Sequence, residues 1–178
     1  MSEASSRVTL VPFERRHADA TLGWNNDPEL ARWLGRPGGI AADEHARWFD
    51  ALAARTDTLF RAIELAPGGH HVGNVWLADI DRRHRKAEVR ILVGDRTRHN
   101  SGAGSQALDA MARLAFDELH LHRVYAYVLA FNPRARRAFE KAGFTLEGTL
   151  RDDRFDGERF VDAFLLGRLT SNPGPPRP

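Results

Sequence analysis

The chain contains no cysteine, which excludes disulfides, thiolate metal sites and any route through an acyl-cysteine intermediate. Lysine is nearly absent as well: Lys86 and Lys141 are the only two, so almost all of the 26 basic residues are arginine. Arginine is the side chain shaped for two-pronged contacts to phosphate, although a genome-wide habit of composition would give the same count. Set against 24 acidic residues, the net charge is only +2. No uninterrupted apolar run approaches bilayer length, and MSEASSRVTLVPF has neither the basic start nor the apolar stretch of a signal peptide. A cytoplasmic protein without membrane attachment is expected.

The composition is otherwise that of a folded protein, 42% hydrophobic and 28% charged over 178 residues, enough for one buried core and short for two. A single domain over 1–169 is expected, with the Pro-rich end SNPGPPRP making 170–178 a disordered tail.

Hydrophobic periodicity orders the elements. RVTLVPF reads as a strand, followed by helical patterns in ERRHADATLGW, in PELARWL (capped by Asn26 or Asp27, with Pro28 at its first position and Gly35 at its end) and in ADEHARWFDALAAR. TLFRAIEL and HVGNVWLADI flank the turn APGGH as a hairpin. KAEVRILV alternates, placing Ala87, Val89, Ile91 and Val93 on one face and Lys86, Glu88, Arg90 and Leu92 on the other, which must see water or a cleft. A long helix from Gly104 to His120, a strand RVYAYVLAF, a helix opened by Asn132 and Pro133 and closed at Gly143, and two strands about Asp156 and Gly157 complete the chain. This order implies an α/β (α+β) fold, a mixed sheet with helices on its faces.

The stretch RHNSGAGSQAL crowds small residues into the start of the long helix, where glycine costs stability. A helix N-terminus offers unpaired N–H groups and about half a positive charge, and missing side chains let a pyrophosphate come close. A tight turn with close helix packing would explain the same residues. Neither the dinucleotide fingerprint nor the P-loop pattern fits, because the later glycine of the first and the Gly-Lys of the second are absent.

ILVGDRTRHNSGAGSQAL resembles the acetyl-CoA signature of the GCN5-related N-acetyltransferases, and NPRARRAFEKAGF resembles that signature's second part. The resemblance spans Arg7 to Leu169. Within the family, WNNDPELARWL, DEHARWF, VGNVWLADID and GERFVDAFLL are most similar to the Rim-type branch, which acetylates protein N-termini, and to its relatives acting on amino sugars. It implies a V-shaped sheet, mostly antiparallel, splayed between the fourth and fifth strands, with acetyl-CoA as co-substrate in the splay and an amine as acceptor. It also implies that Ile91, Leu92 and Val93 pair with the pantetheine through their main chain. The N–H groups of Asn100, Ser101, Gly102, Ala103, Gly104 and Ser105 are to hold the pyrophosphate, Asn132 the pantetheine arm, and Arg98, Arg134 and Arg136 the phosphates. His99 stands where the motif has Gln or Arg. Phe139 occupies the place where many members have a tyrosine acid, which raises the alternative of a catalytically silent CoA sensor.

With no cysteine, direct attack by the amine is the implied route, and it needs a base. Glu88 is the candidate, with a surface ion pair to Arg90 as its alternative. Tyr127 is the stand-in acid, with a core position as its alternative. Trp24, Asn25, Arg32, Trp33, His45 and Trp48 are candidates for the acceptor site together with Glu88, although for Trp33 and Trp48 the core faces of their helices are the favoured explanation. His70/His71 and His120/His122 lack further ligands at metal spacing, so no metal is expected. Asp152, Asp153 and Asp156 read as solvated turn residues. DRRHRK and PRARR are too short, and lack the aromatic interleaving, for a nucleic-acid surface. A homodimer is the default expectation for such a domain.

Overall fold

The computed structural model describes residues 7–35 and 39–171; most of the expected tail, 172–178, lies outside them. Seven strands, β1 (Arg7–Pro12), β2 (Leu59–Ala66), β3 (His70–Asp81), β4 (Lys86–Val93), β5 (Arg123–Leu129), β6 (Thr145–Phe155) and β7 (Phe160–Leu169), form one sheet in the order β1-β2-β3-β4-β5-β7-β6. Every neighbouring pair is antiparallel except β4 and β5. Those two run parallel and match only over Lys86↔Arg123, Ala87↔Val124 and Glu88↔Tyr125. Beyond that point β4 stays with β3 to Val93, and β5 stays with β7 to Leu129. The expected splay is therefore present, and it opens immediately after Glu88.

Five helices cover the sheet: α1 (Ala18–Asn25), α2 (Pro28–Trp33), α3 (Ala42–Leu52), α4 (Ala103–Asp117) and α5 (Pro133–Lys141). The buried face of α4, Ala103, Ala107, Leu108, Met111, Ala112 and Ala115, packs in one cluster with Ala87 and Val89 of β4, Val124 and Ala126 of β5, and Phe139 and Phe144 around the end of α5. On the opposite side Phe13 meets Phe49 of α3 at 5.6 Å and Phe60 of β2 at 4.8 Å between ring centroids. These aromatic contacts bind the α1–α3 layer to the other face of β2 and β3, since edge and tilted pairs add to what burial alone gives.

Two boundaries differ from the periodic pattern. The first helical stretch divides into a single turn, Arg15–His17, and α1, because the Glu14 N–H donates to His17 Nδ1 at 2.9 Å in a reciprocal cap. Helix α4 stops at Asp117 rather than His120: His120 takes a left-handed φ of 53°, and the Leu121 N–H returns to the Ala115 carbonyl at 2.9 Å. The left-handed residue just past a helix end is usually glycine, and here it is a histidine.

Candidate active site

Where β4 leaves β5, its chain turns through a loop that α4 terminates. The Gly94 and Asp95 N–H groups both donate to the Val72 carbonyl, at 2.9 and 3.0 Å, and Asp95 caps the turn Arg96–Arg98 through the Thr97 N–H. Asn100 (φ 62°) and Gly102 (φ 89°) then reverse the chain with left-handed backbone. Gly102 is the N-cap of α4 and has no side chain to occupy the first turn. The first N–H to reach a helical carbonyl is that of Gln106, to Gly102 at 3.0 Å, so the Gly104 and Ser105 N–H groups have no partner among the described residues.

Packing does not demand these glycines. A Cβ on Gly104 would meet Val93 and Ala138 at 3.6 and 3.8 Å, ordinary contact distances, and one on Gly102 only Gln106 Nε2 at 3.7 Å. Gly102 is favoured by its left-handed φ, and a side chain on Gly104 would fit against Val93 and Ala138 without a clash. Both explanations the sequence allows, anion access and a tight turn with close helix packing, have a counterpart in this geometry.

A cavity of about 180 Å³ opens at this mouth. It is bordered by Ile91, Leu92, Val93, Arg98, His99, Asn100, Gly102, Gly104, Ser105, Asn132 and Arg134, and further by Trp33, Arg137 and Lys141. Asn132 accepts from the Ala135 N–H through Oδ1 at 3.0 Å, capping α5, and its amide N–H₂ has no partner among the described residues. His99 Nε2 lies 2.9 Å from the Val93 carbonyl, and Arg134 Nη1 lies 2.8 Å from His99 Nδ1. Ser101 and Ala103 complete the loop without bordering the cavity; Ala103 is buried in the core. Arg136 points away, donating to Glu140 at 2.8 Å with its guanidinium over the Phe164 ring. Phe139 is buried edge-on against Phe144 in the core and does not reach the cavity. The cations that sequence reading missed, Arg137 and Lys141, lie three and seven positions after Arg134. That spacing puts all three on one helix face and Arg136 on another, so the signal was present in the sequence.

A second cavity, of about 360 Å³, lies between the α1–α3 layer and the sheet. Thr21, Asn25, His45, Trp48, Phe60, Asn74, Trp76, Asp79 and Arg90 border it, and so does Leu92, the one residue of β4 that borders both cavities. Phe60 and Trp76 stack at 4.9 Å, with Trp48 edge-on to Phe60 at 5.4 Å. Asn74, 1% exposed, donates to Thr21 Oγ1 at 2.9 Å and lies 3.0 Å from His71 Nε2. Burial holds His45 below the ordinary histidine range. Of the charged groups on the wall, Arg55 is clasped by Asp57 and Arg90 by Glu88. The closest cation contact of Asp79 is Arg90, at 3.9 Å, and Glu44 also stands on the wall.

The remaining candidates are dispersed. Glu88 is 8% exposed, and both its oxygens accept from Arg90, at 2.8 and 2.7 Å; it borders neither cavity, and its bond holds the Arg90 guanidinium above its ordinary range. Tyr127, 37% exposed on the other arm, lies under the Arg154 guanidinium and borders neither cavity. Trp24 packs over Gly94, where a Cβ would fall 1.9 Å from the indole, and against His71. Trp33 belongs to the first cavity rather than the second, and Arg32 is exposed. Among the described residues no group of three or more His, Cys, Asp or Glu is arranged to hold a metal ion, and no helix is long and apolar enough to cross a membrane.

A parallel strand pair thus parts beside a glycine-mouthed helix, and the two cavities adjoin at Leu92 of the parting strand. Residues 7–145 match the family model of the acetyltransferase (GNAT) domain, and the chain belongs to that family. It is 31% identical over 100 residues to the spermidine N(1)-acetyltransferase of Vibrio cholerae, a match covering 56% of this chain and 57% of that protein. It is 22% identical over 180 residues to an uncharacterized N-acetyltransferase, p20, of Bacillus licheniformis, covering 93% and 94%. Among solved structures it superposes on the V. cholerae spermidine N-acetyltransferase in complex with CoA and spermine, with a TM-score of 0.87 at 24% identity, over 93% of this chain and 97% of that one. Mycobacterium smegmatis RimJ in complex with CoA-disulfide gives 0.83 at 23%, over 93% and 83%. Those two superpositions establish the mixed, splayed fold.

Proposed function

We propose that the chain transfers the acetyl group of acetyl-CoA to a primary amine of a small cationic molecule by direct attack. The observation that carries this reading is the meeting of the two cavities at Leu92, where β4 leaves β5. The first cavity has unpaired N–H groups and the cations Arg98, Arg134, Arg137 and Lys141 for a phosphorylated carrier. The second has an aromatic wall with Glu44 and Asp79, suited to a cation. The relatives named for spermidine support a small amine over the protein N-terminus that the Rim-type resemblance suggests.

In this reading the carrier lies along the β4 edge that β5 has left, with its thioester at Leu92 and the amine entering from the second cavity. The nitrogen bonds to the carbonyl carbon, the carbon–sulfur bond breaks, and the thiolate leaves with the electron pair. The ammonium must first shed a proton. The proton passes to solvent through the second cavity, while Glu88 fixes Arg90 in the wall of that cavity. Phe139 lies in the core and takes no part, so the thiolate is protonated from solvent. A thiol-release assay with acetyl-CoA against diamines, amino sugars and peptides, with products identified by mass, tests the reading. Turnover is expected with diamines foremost. Tight CoA binding with no turnover on any amine would replace the enzyme by a CoA sensor.

A further inference from the structure

At the mouth of the first cavity three groups form a hydrogen-bonded chain: the Val93 carbonyl, His99 and Arg134. His99 Nε2 lies 2.9 Å from a carbonyl oxygen, which can only accept, so Nε2 bears the proton. His99 Nδ1 lies 2.8 Å from an Arg134 nitrogen, which can only donate, so Nδ1 bears the lone pair. A neutral ring in one tautomer satisfies both partners at once. On its other side the Arg134 guanidinium lies 5.7 Å from the centre of the Trp33 ring. His99, Arg134 and Trp33 all border the cavity.

We propose that His99 is a positioning residue for the carrier's phosphates, anchored on the end of β4 and aiming the Arg134 guanidinium across the cavity mouth. The role rests on the acetyl-CoA reading above. An unheld arginine must give up its rotamer freedom when it grips an anion, and an arginine already held between an imidazole and an indole gives up less.

Two measurements test the role. In the ligand-free protein, long-range nitrogen–proton correlation spectra are expected to show His99 as the neutral Nε2–H tautomer; the opposite tautomer or an imidazolium near pH 7.5 overturns the proposal. Calorimetry with CoA is expected to show roughly tenfold weaker binding for His99→Leu and for Arg134→Leu, the scale of removing one charge-assisted hydrogen bond. The double variant is expected to be no weaker than Arg134→Leu alone. His99→Gln, whose amide also offers one donor and one acceptor, is expected to bind within about threefold of wild type. In turnover, KM for acetyl-CoA rises while kcat stays within about twofold. If His99→Leu does not fold, His99→Asn, too short to span both partners, takes its place. Wild-type affinity in the folded variant, or additive losses in the double, refutes the role alone. A wild-type protein that binds no CoA refutes the acetyl-CoA reading, and the role with it.

Discussion

Replacing Gly102 and Gly104 separately by alanine separates backbone strain from open space at the helix mouth. Gly102 has φ 89° at the N-cap of α4, and a new Cβ there meets nothing nearer than 3.7 Å. The cost of Gly102→Ala is therefore conformational, about 1–2 kcal/mol for an L-residue in left-handed backbone. For a domain of this size that lowers Tm by about 2–8 °C. Gly104 is helical with ordinary contact distances to spare, so Gly104→Ala is expected to gain up to about 1 kcal/mol of helix propensity. Scanning calorimetry without ligand should thus give shifts of opposite sign. Repeating the scans with CoA should give a smaller ligand-induced rise for Gly102→Ala than for wild type. Relieving the strain at Gly102 turns the loop amides away from the diphosphate, and each charge-assisted hydrogen bond that fails to form costs about 1.5–3 kcal/mol, roughly ten- to a hundredfold in Kd. Equal melting and equal CoA affinity for wild type and Gly102→Ala would refute the argument, as would a large loss of stability in Gly104→Ala.

Three other outcomes are expected. Glu88→Gln should lower kcat less than about tenfold, because Arg90 already holds both carboxylate oxygens; a fall of roughly a hundredfold with a changed pH profile would make Glu88 the base. Asp27→Ala removes the α2 cap that accepts from the Glu29 and Leu30 N–H groups and binds Arg96 at 2.6 Å, and should cost about 1–2 kcal/mol by denaturant melt. Burial holds His45 and His71 below the usual histidine value near 6.5. The unfolded chain therefore takes up protons that the folded one refuses as pH falls below about 6.5. Stability should be full above that value and decline toward pH 5, less steeply in His45→Phe; a Tm unchanged between pH 7.5 and 5.5 would contradict it.

Local rules were readable wherever one residue type does one physical task. Asn132 with Pro133 announced the cap of α5, Asp27 with Pro28 that of α2, and Asp156 with Gly157 a turn in which the aspartate accepts from the Glu158 and Arg159 N–H groups at 2.9 Å. The end of α4 was not readable, because His120 adopts the conformation a glycine would have marked. The second cavity was only half visible. Asn25, His45 and Trp48 lie in helical segments noted for their aromatics, but Thr21, Phe60 and the β3 pair Asn74 and Trp76 come from three elements far apart in sequence. Glu88 and Arg90 sit two apart on one strand face, so their pairing was legible; that Arg90 reaches the second cavity while Glu88 does not was a matter of three-dimensional packing.

The parting of β4 from β5 divides the molecule's evolutionary freedom unevenly. In the proposed reading, much of the grip on the carrier comes from main-chain amides and one left-handed glycine, which substitution elsewhere scarcely touches. On the acceptor side the wall is built of side chains borrowed from different elements. New preferences for an amine can thus arise by exchanging Trp48, Asp79 or Glu44 while the machinery that holds the donor stays as it is.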